Sequence, residues 1–261
     1  MQSFKSGSEV IHFDDKGPKT DFAIIFLNSL GTDIRVWDKL LNVLGDHYRA
    51  VRLDKRGHGL STNYENNISI ENLAKDVGNL VDHLNLKNVC LVGLSIGGLI
   101  ALEFIKQRPK ICKKLILCDT APKIGSTDMW ADRIKRVQEG GIEAISDDIL
   151  ARWFSTSFLK DKSDELQMWR SMLTRTTKSG YIGCCEAISR CDLTEQAKII
   201  NLPTLVIVGE EDGSTPVNLV RDTANLIKNS VFKVIEKAGH LPCVEKPNEV
   251  GSTFMQFLEN N

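Results

Sequence analysis

No run in this chain approaches the roughly 18 consecutive apolar residues of a membrane-spanning helix. Charge of one sign is also missing: 33 Lys+Arg face 34 Asp+Glu, a formal net charge of −1. Nucleic acid and anionic membranes call for a basic face, so neither is an expected partner. The seven cysteines (90, 112, 118, 184, 185, 191, 243) are odd in number and include no CxxC pair. They read as free thiols rather than a disulfide framework or a zinc site. The opening MQSFKSGSEVIHFDD lacks the apolar stretch of a secretory signal, which makes the cytoplasm the expected compartment. Internal repeats and low-complexity linkers are absent too. What is present is an ordinary globular composition, 42% apolar and 26% charged over 261 residues. That length suits one large domain, or one domain with an insertion, and buries a core without staples.

The first half alternates strand and helix signals. Phe22–Leu27 (FAIIFL) is a short continuous apolar run, as expected of a strand buried on both faces. A helical stripe over 34–44, a strand over 48–53, an amphipathic helix over 69–84 and a buried strand over 88–92 follow. Next come a helix over 95–107, stopped by Arg108-Pro109, and a strand over 114–118. Such alternation predicts a parallel sheet covered on both faces. Residues 121–195 show only helical periodicity (129–137, 142–154, 163–173, 181–189). Strands return at 204–208 and 231–235, with helices over 217–227 and near 248–258. The expected organisation is an α/β core, residues 1–120 and 196–261, interrupted by a helical cap, residues 121–195.

Gly93-Leu94-Ser95-Ile96-Gly97 follows a buried strand and opens a helix, the context that a G-x-S-x-G nucleophile elbow requires. A turn this tight leaves no room for side chains beside the serine. It lifts Oγ to a helix N-terminus, where free N–H groups and the helix dipole favour developing negative charge. A serine needs a base and an orienting acid, in the chain order Ser, acid, His. Of the five histidines only His240, in Ala238-Gly239-His240-Leu241-Pro242, lies after the last predicted strand. His47 and His83 read as structural or solvent-facing, His58 as a turn residue, and His12 as having no partner motif. For the acid, Glu210, Glu211 and Asp212 compete on composition. The oxyanion donors are expected to be the N–H of Ile96 and that of Leu30, in the loop Asn28-Ser29-Leu30-Gly31-Thr32-Asp33.

Taken together, Gly93-Leu94-Ser95-Ile96-Gly97-Gly98, Asp54-Lys55-Arg56-Gly57-His58-Gly59, Asp212 and Gly239-His240 resemble the α/β-hydrolase family over nearly the whole chain. In that family the Asp-x-Arg-Gly-x-Gly turn is structural. Its Gly-x-x-Asp-x-x-x-Pro pattern falls on Gly209, Asp212 and Pro216, which favours Asp212 as the acid. The oxyanion loop with the following Trp37 is similar to that of the 3-oxoadipate enol-lactonases, ring-opening enzymes of aromatic degradation. The segment Gly180–Leu193 and Arg152-Trp153-Phe154 are similar to theirs as well. The resemblance implies hydrolysis of an anionic lactone through an acyl-serine, with no metal or organic cofactor. Small-ester carboxylesterases and perhydrolases share much of the pattern, and a ligand-sensing protein on this scaffold can keep the triad. A substrate carboxylate calls for an arginine of the cap: Arg133, Arg152, Arg175 and Arg190 are candidates, with Arg133 and Arg190 preferred. Trp130 and Trp153, beside Phe154, are candidates for an apolar wall. Basic and acidic residues of the cap are nearly balanced, so no general electrostatic funnel is expected. The Cys184-Cys185 pair is expected to pack rather than react.

Overall fold

The computed structural model describes residues 1–65 and 68–259. Eight strands, β1 (Gln2–Ser6), β2 (Glu9–Lys16), β3 (Phe22–Leu27), β4 (Ala50–Leu53), β5 (Asn88–Leu94), β6 (Cys112–Cys118), β7 (Thr204–Gly209) and β8 (Val231–Ile235), form one sheet. Their order is β1-β2-β4-β3-β5-β6-β7-β8. The pairs β1–β2 and β2–β4 are antiparallel, and every pair from β4 through β8 is parallel. Burial on both faces explains the uninterrupted apolar runs of β3 and β5. The first hairpin was not anticipated, and it gives His12 a partner: Nδ1 lies 2.8 Å from Asp54 Oδ2.

Helices α1 (Asp38–Leu44), α2 (Ile70–His83), α3 (Ile96–Gln107), α10 (Val217–Leu226) and α12 (Pro247–Glu259) belong to the sheet domain. The periodic stripe expected over 34–44 splits into a 3₁₀ turn, Ile34–Trp37, and α1. In α2 the buried Ile70, Leu73, Ala74, Val77, Leu80 and Val81 recur at helical spacing, and Ser69 caps its N-terminus by accepting from Asn72 N (3.2 Å). α3 is buried nearly all round. Between β6 and β7 stand α4 (Thr127–Gly140), α5 (Glu143–Trp153), α6 (Thr156–Asp161), α7 (Ser163–Thr174), α8 (Lys178–Arg190) and the short α9 (Thr194–Lys198). A further short helix, α11 (Pro242–Glu245), follows β8. Among the described residues no helix is long and apolar enough to cross a membrane.

The strand order positions the chemistry. From β3 the chain pairs outward to β4 on one side and β5 on the other, the point at which open α/β sheets leave a crevice at the carboxyl edge. Leu27, the last residue of β3, lies opposite Gly93 of β5, and Leu94 lies opposite Cys118 of β6. The loop 28–33 and the turn at Ser95 therefore emerge side by side.

Candidate active site

Ser95 adopts φ 58°, ψ −119°, a backbone conformation rarely open to a non-glycine residue. Close packing enforces it. A Cβ on Gly93 would lie 2.5 Å from the Gly97 carbonyl oxygen, and one on Gly97 would lie 2.1 Å from that of Leu27. The turn is tied to its neighbours by Ser95 N donating to Cys118 O (3.0 Å) and by Thr120 Oγ1 donating to Ser95 O (2.6 Å). Ile96 opens α3, so its N–H lies outside the helix's own hydrogen bonds. The Leu30 N–H, on the neighbouring loop, donates to no protein atom among the described residues.

His240 Nδ1 lies 2.8 Å from Asp212 Oδ2, and both side chains are buried. Asp212 also accepts from Ser214 N (2.7 Å), Thr215 N (3.0 Å) and Thr215 Oγ1 (2.6 Å). Burial works against its ionisation, but His240 and these donors outweigh burial and hold its carboxyl below the usual range. The competing glutamates are occupied elsewhere: Glu210 accepts from Lys237 N (3.0 Å) and Glu211 from Thr156 N (2.8 Å). Of the three carboxylates, Asp212 is the one brought to the imidazole.

A fourth group is present that the sequence reading did not pick out. Asp119, at the end of β6, is fully buried, and its Oδ1 accepts from Gly209 N (2.8 Å) while Oδ2 accepts from no donor. Ligand-type atoms of Asp119, Asp212 and His240 all lie within 4.8 Å of one another. His240 Nδ1 and both oxygens of Asp212 are engaged in hydrogen bonds, which suits a shared proton better than a cation. Burial, and then the charge of Asp212, push the Asp119 carboxyl well above the ordinary range. Two carboxylates this close cannot both ionise cheaply, so Asp119 stands as a neutral acid behind Asp212.

Ser95, His240, Ser29 and Leu30 face one cavity, closed from above by Met129, Trp130 and Arg133 of α4, Ile149, Arg152 and Trp153 of α5, and Tyr181 and Ile188 of α8. No hydrogen bond joins Ser95 to His240 among the described residues, the looser arrangement common before substrate packs in. Free space in this narrow cavity amounts to about 40 Å³. A larger groove of about 360 Å³ lies against His12, Arg35 and Arg175, but among the described residues no serine or cysteine lines it.

The cap arginines divide sharply. Arg136 pairs with Asp148 (2.8 Å), Arg170 with Asp147, and Arg190 with Glu186 (3.5 Å). Arg190 is 79% exposed and does not line the cavity. Its position near the end of α8 turns it to water, so the preferred pairing of Arg133 with Arg190 is not the one the fold assembles. Arg133 and Arg152 do line the cavity, and neither is ion-paired among the described residues. The Arg133 guanidinium lies 4.7 Å from the centroid of the Trp130 ring and beside the Tyr181 hydroxyl. Spacing held the clue to Arg152: Ile149, Arg152 and Trp153 fall at i, i+3 and i+4, one face of a helix. Trp130 and Trp153 are buried and line the cavity.

The cap is fixed to the loops that carry Asp212 and His240. Arg152 O, in the last turn of α5, accepts from Gly213 N (3.3 Å), and Trp153 O accepts from Leu241 N (3.3 Å). Glu245 bridges Ser155 Oγ (2.5 Å) and Gly239 N (2.7 Å). At the other end, Thr177 Oγ1 donates to Gly57 O (2.9 Å), and a Cβ on Gly180 would lie 2.6 Å from Gly57 Cα. All seven cysteines are free, and six of them are buried. Burial pushes the thiols of Cys112, Cys184 and Cys191 up to about 12.

The arrangement brings a strained serine and a His–Asp pair to one cavity, and comparison with known proteins identifies the family. Two 3-oxoadipate enol-lactonases of Acinetobacter baylyi are 34% and 32% identical to this chain, covering 86% and 94% of it and 84% and 91% of their own lengths. An enol-lactonase structure from Burkholderia xenovorans superposes with a TM-score of 0.95 at 31% identity, covering 99% of this chain and 100% of that one. A thermophilic esterase from Thermogutta terrifontis, determined with malate bound, superposes with a TM-score of 0.92 at 27% identity, covering 99% and 98%. The model of the alpha/beta hydrolase fold family matches residues 23–247. With the strained serine, the His–Asp pair and the parallel sheet all in register, the chain belongs to the α/β-hydrolase family and is a hydrolase.

Proposed function

We propose that the protein opens 3-oxoadipate enol-lactone to 3-oxoadipate. The observation that carries this reading is the pair of unpaired cations, Arg133 and Arg152, lining an otherwise largely apolar cavity shared with Ser95 and His240. A lactone with one free carboxylate matches that chemistry: guanidinium groups take the carboxylate, and the tryptophan walls take the ring. Enol-lactonases among the relatives support the same substrate class.

In this mechanism His240 takes the Ser95 proton, which it later passes to the departing enolate and so returns to the neutral form, and Oγ attacks the ring carbonyl. The oxyanion accepts from the Leu30 and Ile96 N–H groups, each worth about 10²–10³ in rate. Asp212 fixes the imidazole tautomer and stabilises the imidazolium. The ring C–O bond breaks with departure of an enolate, which leaves more readily than an alkoxide and then ketonises, drawing the opening forward. Water, deprotonated by His240, attacks the acyl-serine and releases the diacid. The test compares kcat/KM for the enol-lactone with that for p-nitrophenyl acetate. Lactone turnover well above acetate turnover supports the reading, and brisk acetate cleavage with slow lactone turnover overturns it.

A further inference from the structure

Lys55 is a charged residue in a place where water cannot reach it. It is 5% exposed, and its ammonium donates to Ser29 O (2.6 Å) and Thr32 O (3.2 Å) in the loop that follows β3. Neither carbonyl needs it. Ser29 O already accepts from Thr32 N (3.2 Å) and Thr32 Oγ1 (2.9 Å), and Thr32 O accepts from Asn28 Nδ2 (2.6 Å). A buried ammonium costs several kcal/mol in desolvation, so hydrogen-bond satisfaction alone does not account for it.

Its target does. Ser29 O and Leu30 N belong to one peptide unit, and in a trans peptide the C=O and N–H point in opposite directions. A cation gripping the oxygen therefore fixes the Leu30 N–H on the opposite side of that peptide, in a loop whose Ser29 and Leu30 line the cavity that contains Ser95. It also draws electron density along the amide, which makes that N–H a stronger donor. The next residue is braced independently: Gly31, at φ +75°, donates its N–H to His58 Nε2 (3.1 Å).

We infer that Lys55 is a positioning residue for the oxyanion hole, its ammonium aiming and polarising the Leu30 N–H through the carbonyl of Ser29. The inference rests on the acyl-serine reading above, because it needs Leu30 as an oxyanion donor. It makes activity depend on the protonation of Lys55. Burial lowers the ammonium to about 8, against the opposing pull of Asp54 and Asp33, while Cys184 of α8 faces it as a neutral thiol at that pH. His58, the other titratable group beside it, is pushed well below its usual range by burial and by Lys55 itself, so it stays neutral near pH 8. The clamp is therefore engaged below about pH 8 and released above it.

The sequence supplies a clean probe, because Ser29-Leu30 is its only Ser-Leu step. Protein labelled with carbonyl-¹³C serine and ¹⁵N leucine gives a single HNCO cross-peak, that of the Leu30 amide. In the wild-type chain this peak should move with a midpoint near pH 8, and in Lys55→Met it should stay flat through that range. A wild-type peak that does not titrate between pH 6.5 and 9.5 overturns the inference, without requiring any variant to fold. Lys55→Met should also lower kcat about 10- to 100-fold with KM little changed, within the cost of losing one oxyanion donor, and should lose the alkaline limb of the kcat profile. Unchanged kcat in that variant overturns the inference as well. Persistent turnover in Ser95→Ala instead overturns the acyl-serine reading, which separates the two failures.

Discussion

Replacing Arg133 and Arg152 with methionine, singly and together, tests how the cavity selects its substrate. A charge-assisted hydrogen bond contributes about 1.5–3 kcal/mol, and each 1.4 kcal/mol is about tenfold in binding. Arg133 is half-buried between Trp130 and Tyr181, so its full contribution applies, and Arg133→Met should lower kcat/KM for a carboxylate-bearing lactone roughly 10- to 100-fold. Arg152 is exposed, and solvent screening reduces its contribution to about 1 kcal/mol or less, a loss of about fivefold. If both grip one carboxylate, the double variant should lose less than the product of the single losses, since neighbouring groups sharing a partner are not additive. The assay is steady-state turnover of the enol-lactone beside p-nitrophenyl acetate, which carries no carboxylate. Acetate turnover should change by less than about threefold, because its transition state makes no contact that depends on those charges. Equal losses on the two substrates would refute carboxylate recognition and leave the arginines with a packing role.

Ser95→Ala should reduce turnover by about 10⁶-fold without lowering the thermal midpoint, and a retained rate in that variant would remove Ser95 as nucleophile. Asp119→Asn keeps a neutral group beside Asp212 and should retain activity within about tenfold, whereas Asp212→Asn should cost about 10⁴ in kcat; the reverse order would exchange the roles of the two acids. Asp76→Ala leaves Arg56, bound to it at 2.7 and 2.8 Å in the interior, as an uncompensated charge. Urea unfolding should then show a loss of about 3–5 kcal/mol, and an unchanged midpoint would mean that the pair contributes nothing. Iodoacetamide at pH 7 should leave activity intact, because thiols that burial pushes up to about 12 are not thiolates; rapid inactivation would reveal an accessible reactive cysteine.

Much of this architecture was legible because the decisive signals are local. A strand buried on both faces needs an unbroken apolar run, and Phe22–Leu27 provides one from end to end. The tight turn at Ser95 needs its flanking glycines, and they are adjacent in sequence. The hairpin β1–β2 was missed because its inward face carries a charge: Glu9 is fully buried, and its carboxylate is satisfied by Thr62 Oγ1 (2.5 Å), Tyr64 N and Glu65 N (both 3.0 Å). Those donors lie more than fifty residues away, and no window around Glu9 contains them. The choice among the cap arginines failed for a related reason. Arg152 and Arg190 both sit in the last turns of amphipathic helices, and only the packing of α5 and α8 sets one against the cavity and leaves the other in water. Lys55 and Asp119 are ionisable residues just past the ends of strands β4 and β6, where sequence shows the residue but not what surrounds it.

The attachment of α5 to the triad loops limits how this enzyme can diverge. Its last turn meets the acid loop at Gly213 and the base loop at Leu241, and a Cβ on Gly239 would lie 2.6 Å from the Trp153 carbonyl oxygen. A cap grafted from a relative must therefore reproduce that turn, main chain included, or the acid and the base lose their spacing. Helix α6 adds a contact of its own to the acid loop, Thr156 N donating to Glu211 (2.8 Å), whereas among the described residues α7 makes no hydrogen bond to either loop. Lineages that change substrate should accordingly vary α4 and α7 freely while keeping the backbone path of residues 152–156, and a chimera exchanged at that boundary should inherit specificity without losing turnover.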